Sequence, residues 1–73
     1  MTFDNLCSLA ATQIGIEPQA LNPDASLIDQ GLDSMRMIAL IEELRVQGVE
    51  ADFFALAECV SLRDWASALG IEA

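Results

Sequence analysis

The sequence predicts an all-α protein, a small bundle of four helices: three longer ones, a short third helix, and a long loop after the first. Three observations predict it. Apolar residues recur at three- and four-residue spacing in several stretches, Gly and Pro fall between those stretches, and strand signals and internal repeats are nearly absent. With 73 residues the chain makes one domain, 1–73, and a domain of this size buries only about 60% of the surface its unfolded chain exposes.

The first helix is expected from about Phe3 to Ile14, with Thr2 as its cap and Gly15 as its stop. Leu6, Leu9, Ala10 and Ile14 should face inward, with Phe3 and Cys7 packing at the edge of that stripe. From Ile16 to Asp33 the character changes, because Pro18 and Pro23 break helices and Asn22, Asp24 and Ser26 supply turn chemistry. A loop this long needs internal anchors; Leu21, Leu27, Ile28 and Leu32 are the expected ones, and Ser26–Asp29 can form one capped turn.

The second helix should run from Ser34 to Gln47 and stop at Gly48, burying Met37, Leu40, Ile41 and Leu44 and exposing Met35, Ile38, Glu42 and Arg45. Asp52 can cap the short third helix, Phe53–Ala57. Its adjacent phenylalanines cannot both point inward, and Phe54 is expected inside with Leu56 while Phe53 lies at the surface near Ile38. Ser61-Leu62-Arg63-Asp64 reads as a capping box with Asp in place of Glu, opening a fourth helix whose Leu62, Trp65, Ala66 and Leu69 complete the core before Gly70.

Charge and composition narrow the function. Twelve acidic residues stand against three arginines, with no lysine or histidine, for a net charge of −9. That balance disfavours nucleic acid or an anionic membrane as partner and favours basic protein surfaces. Cys7 and Cys59 fit no zinc-ligand spacing and read as buried free thiols in a reducing compartment. No apolar run approaches the roughly 20 residues of a membrane span, and no signal segment opens the chain, so a cytoplasmic monomer is expected.

The stretch Asp29-Gln30-Gly31-Leu32-Asp33-Ser34-Met35-Arg36-Met37 carries the chemistry. A polar loop turns at Gly31, Asp33 can cap, and Ser34 falls in the first turn of the second helix, partly exposed. There the unpaired backbone N–H groups and the positive end of the dipole favour an attached phosphate. On position alone such a serine is ordinarily a cap or a surface residue. It is not a hydrolase nucleophile, since the chain has no histidine or lysine to act as base and Arg36 stands where a G-x-S-x-G elbow would need its second glycine. Asp29 and Asp33 suggest a carboxylate pair or a Mg²⁺ site, for which cap and turn roles suffice, and no resident metal is expected.

Gly31-Leu32-Asp33-Ser34-Met35 resembles the G-(L/x)-D-S-(L/M/I) signature of acyl carrier proteins, and the resemblance extends over nearly the whole chain. It implies a bundle of the acyl-carrier type and a carrier that is not itself an enzyme. A phosphopantetheinyl transferase would esterify Ser34 with 4′-phosphopantetheine from coenzyme A, using its own Mg²⁺, with Asp33 as the flanking residue that meets the transferase or its metal. The thiol of the arm would then hold an acyl or aryl group as a thioester, with a reach on the order of 15–20 Å.

The run from Leu32 to Met37, with Asp52–Ala57 and Trp65, is most similar to the aryl carrier proteins of siderophore and nonribosomal peptide assembly lines. Peptidyl carriers usually have Gly where this chain has Leu32, and fatty-acid and polyketide carriers usually have acidic residues soon after the serine, whereas here Arg36 follows and the acids come only at Glu42 and Glu43. The resemblance therefore implies a free-standing aryl carrier, loaded by an adenylating aryl-acid ligase and unloaded by a downstream condensation enzyme. A stand-alone carrier of another acyl or aminoacyl unit is the alternative within the family, and a helical interaction module without a prosthetic group is the alternative outside it. Met35, Arg36, Ile38, Phe53 and Ala57 are the candidate partner-facing residues. The resemblance implies docking through the second and third helices, which commonly form that surface in this family.

Overall fold

The computed structural model describes residues 1–72, so Ala73, the last residue of the expected domain, lies outside the described residues. Four α-helices follow in order: α1, Phe3–Ile14; α2, Ser34–Val46; α3, Phe53–Ala57; and α4, Leu62–Leu69. No strand occurs among the described residues, only a single antiparallel bridge between Ser26 and Ser61. No helix among them is long and apolar enough to cross a membrane.

Local chemistry sets most of these boundaries. The Thr2 side chain accepts from the Asn5 N–H to open α1, and Gly15, at φ 89°, closes it by donating its own N–H to the Ala11 carbonyl. Ser61 and Asp64 form the expected reciprocal capping box of α4. The second helix ends one residue earlier than its periodicity suggests, at Val46, because Gln47 is its cap and Gly48 adopts φ 83°.

The helices bury one core in which Leu6, Leu27, Leu40, Leu44, Leu56, Leu62 and Trp65 are essentially solvent-free. It is formed where α1 packs against α2 and α4, with α3 laid against α4. Ala11 is fully buried too, while Leu9, Met37 and Leu69 are only partly buried at the edge of the core.

Several expectations are corrected. Phe53 is the partly buried phenylalanine packed against the core, and Phe54 is 78% exposed. The reason is helical geometry: Phe53 and buried Leu56 are three residues apart and share a face, whereas Phe54 and Leu56 are two apart and point to opposite sides. Both cysteines are free but half-buried, not fully enclosed. Ile28 is exposed, so Leu21, Leu27 and Leu32 are the expected anchors that the core does bury.

That loop also contains a short 3-10 turn at Pro18–Ala20 and a polar scaffold with no periodic signature. The Gln30 side chain accepts from the Asn22 N–H and donates to the Asn22 carbonyl, both at 2.8 Å. The Leu27 N–H reaches the Val60 carbonyl at 2.9 Å, and the Arg63 N–H reaches Pro23 at 3.0 Å. Arg63 also pairs with Asp24 and lies 5.3 Å from the Phe3 ring centroid. These contacts press the loop onto the α3–α4 junction and deliver its end to α2.

Candidate functional site

The segment leading into α2 is built so that Leu32 goes in and Ser34 stays out. Leu32 is buried, and its N–H donates to the Leu27 carbonyl at 3.0 Å. Gly31 has φ 116°, and a Cβ built there would come within 3.2 Å of Ile14 Cγ2, so glycine is required both by the turn and by the close approach of α1. Asp33 then caps α2, its Oδ1 accepting from the Arg36 N–H at 2.8 Å.

Because Asp33 supplies the capping oxygen, the Ser34 hydroxyl is not spent on the helix. Ser34 is the first residue of α2 and is exposed, at an N-terminus whose unpaired N–H groups and dipole suit a phosphodiester. Its other neighbours are apolar: Met35 is 81% exposed and Ile38, one turn further on, is 51% exposed.

Ser34 and Asp33 also form one lip of a cleft of about 460 Å³ whose other walls include Phe53, Ala57, Cys59 and Val60. The structure thus brings together four of the candidate residues, Asp33, Ser34, Phe53 and Ala57, around one opening. Met35 and Ile38 stand on the exposed surface of α2, outside the cleft walls. Arg36, two residues beyond Ser34, lies roughly 200° around the helix from it. It reaches α1 instead, with Nη1 donating to the Ile14 carbonyl at 3.2 Å.

Cys59 and Val60 are cleft residues that the periodicity of the sequence does not single out, since they sit in the irregular link between α3 and α4. Burial first, then the Asp64 and Glu58 carboxylates, push the Cys59 thiol above its ordinary range. At neutral pH it therefore stays protonated and is a poor nucleophile towards anything bound in the cleft.

A larger hollow of about 630 Å³ lies at the other end of α2, between Arg45, Ala51, Asp52 and Ala68. It has no nucleophile in its walls, and Arg45 there donates to the Ala51 carbonyl. Volume alone does not make it the functional site. Among the described residues no group of three or more potential ligands could hold a metal ion, so Asp29 and Asp33 belong to none.

Comparison with known proteins places this geometry. The family model described as "Phosphopantetheine attachment site" matches residues 4–69. The phenyloxazoline synthase MbtB of Mycobacterium sp. (strain MCS) is 43% identical over 60 residues, which are 82% of this chain but 5% of that protein. The isochorismatase of Bacillus subtilis (strain 168) is 33% identical over 64 residues, 88% of this chain and 20% of that protein. The acyl carrier protein ScoB of Streptomyces coeruleorubidus is 32% identical over 65 residues, 89% of this chain and 76% of that protein. No solved structure matches.

Proposed function

The chain belongs to the phosphopantetheine attachment family, whose members are carriers rather than catalysts and bear a covalent 4′-phosphopantetheine, and on that premise we propose that it is a free-standing aryl carrier protein modified at Ser34. The observation that carries the assignment of Ser34 is its uncommitted, exposed hydroxyl at the start of α2, with Asp33 doing the capping beside it. The group fits there, since the helix N-terminus suits its phosphate and the adjoining cleft offers the apolar walls of Phe53 and Ala57 to the rest of the arm. When bound, it supplies a thiol that holds the cargo as a thioester. Ser34 supplies only the oxygen to which the arm is joined, and with no histidine or lysine in the chain the base that takes its proton is assigned to the transferase.

Carrier domains of synthetase systems work with a phosphopantetheinyl transferase and with synthetase enzymes. For this chain the proposed partners are an adenylating aryl-acid ligase and a downstream condensation enzyme, in the cytoplasm, with 1–73 acting as one carrier domain. The aryl cargo is supported by the similarity to a phenyloxazoline synthase, whose name specifies a phenyl-bearing product, and to an isochorismatase. The similarity to ScoB supports a free-standing carrier, since that acyl carrier protein is a chain little longer than the matched region. It also favours the second reading, a carrier for another acyl unit. Met35, Ile38, Phe53 and Ala57 are proposed as the docking surface, an apolar window beside the serine.

Intact mass after incubation with a broad-specificity transferase and coenzyme A tests the central assignment. The protein should gain one arm and Ser34→Ala should gain none. A mass gain that persists in Ser34→Ala, or no gain in the parent chain, defeats it. Offering aryl and aliphatic acids to the ligase then separates the two cargo readings.

A further inference from the structure

Arg36 makes an unusual set of contacts for a half-exposed helix residue. Its Nη1 donates to the Ile14 carbonyl at 3.2 Å and to the Gly31 carbonyl at 3.3 Å, while its Nε lies 3.9 Å from Asp33 Oδ2. Its backbone N–H is bonded to the other oxygen of the same carboxylate, at 2.8 Å. Ile14 is the last residue of α1, where the carbonyls have no intrahelical partner and the dipole favours a cation. One guanidinium therefore joins three pieces: the end of α1, the Gly31 turn and the cap of α2. The same junction is tight on its apolar side, where a Cβ on Gly31 would approach Ile14 Cγ2 to 3.2 Å. Ser34 directly follows Asp33, the last residue so held.

We propose that Arg36 is a positioning residue for Ser34: by tying the Gly31–Asp33 turn to the end of α1 it fixes the presentation of the hydroxyl to the phosphopantetheinyl transferase. The proposal rests on Ser34 being the attachment residue. Arg36 has no need to touch the transferase, since it lies across the helix from Ser34 and Ile38. Lysine is a partial substitute only. Its ammonium has three donors but lacks the rigid planar fork by which the guanidinium bonds both carbonyls from Nη1 while Nε faces the Asp33 carboxylate.

The test is arm transfer from coenzyme A, followed by intact mass in the parent chain, Arg36→Met, Arg36→Lys and Ser34→Ala, beside amide hydrogen exchange of the apo proteins. A misplaced nucleophile lowers turnover more than binding, so kcat should fall about tenfold or more in Arg36→Met, with KM changed less than about twofold. Arg36→Lys should fall in between. The Gly31 and Leu32 amides, bonded to Ile28 and Leu27, should exchange about tenfold faster in Arg36→Met while those of Trp65 and Ala66 keep their protection. If Arg36→Met proves too unstable to assay, Arg36→Lys carries the same test by itself. A raised KM with intact kcat would show direct contact with the transferase and overturn the proposal, as would unchanged exchange at Gly31 and Leu32. Modification persisting in Ser34→Ala would remove the attachment assignment and the positioning role with it, whereas normal modification of Arg36→Met removes the positioning role alone.

Discussion

Changing Ile38→Glu should separate docking from folding. Fully burying an isoleucine is worth about 1.5–3 kcal/mol, and with 51% of Ile38 exposed only about half of that, roughly 1 kcal/mol, is at stake in the fold. Glu is the better helix former by a few tenths of a kcal/mol, which is offset by a similar repulsion from Glu42, four residues on. The net cost of about 1 kcal/mol corresponds to a melting temperature lower by about 4–8 °C in a domain of this size. Against a total stability of about 5 kcal/mol, that still leaves all but about one molecule in a thousand folded. Unfolding therefore cannot explain a large functional loss. If Ile38 is an apolar anchor, losing it should cost about 2 kcal/mol of association, or about thirtyfold in kcat/KM for loading by the ligase or transfer to the downstream enzyme. Thermal melts beside loading and transfer kinetics measure both quantities on one preparation. Unimpaired loading and transfer would refute the docking role, and so would a melting temperature that collapses in step with activity.

Two further outcomes follow from the packing and the caps. Phe53→Ala should destabilise by about 1–3 kcal/mol, short of the 3–5 typical of a fully enclosed phenylalanine, whereas Phe54→Ala should cost no more than about 0.5 kcal/mol because its ring is 78% exposed; equal melting temperatures for the two variants would contradict this packing. Asp64 accepts from the backbone N–H groups of Ser61 and Val60, and these bonds hold its carboxyl below the usual carboxylate range. The unfolded chain, with an Asp pKa of about 3.9, then binds the proton more readily, so the stabilisation is present above that pH and is lost as pH falls through the lower folded value. The difference in melting temperature between the parent chain and Asp64→Ala should therefore be full near neutrality and shrink below about pH 4, and a difference unchanged into strong acid would show that the carboxylate is not the cap.

The helices were legible because their ends are local. Thr2, Asp33, Asp52 and Ser61 each bond a backbone N–H within three residues, and Gly15 and Gly70 adopt the left-handed conformation just past a helix. The exposed position of Ser34 at the start of α2 was legible for the same reason: a cap and a turn glycine are close to it in sequence. The two phenylalanines were misjudged although the rule that orders them, Phe53 with Leu56 at three residues, was in the sequence. The path of the long loop was not readable in this way. It depends on Leu27 meeting Val60 and on Gln30 bonding back to Asn22, pairings that no periodicity encodes. Arg36 shows the limit most plainly, since the carbonyl it reaches lies 22 residues earlier in the chain.

The three arginines share one use, and it bears on how partners meet this protein. Arg36 fastens the Gly31 turn to α1, Arg45 bonds Glu42 and the Ala51 carbonyl across the α2–α3 connection, and Arg63 holds Asp24 of the long loop while lying against Phe3. With no lysine in the chain, every basic side chain is thus engaged at a connection between elements. The twelve acidic residues, by contrast, all stand at the exposed surface. Exposed ion pairs of this kind contribute little to stability, so the arginines act chiefly through the carbonyls they bind. The exposed surface is strongly anionic, and beside Ser34 it carries Met35, Ile38 and the cleft with Phe53. Such a surface would attract basic partners at long range without choosing among them, and under the proposed docking role the apolar window would make the choice once they arrive.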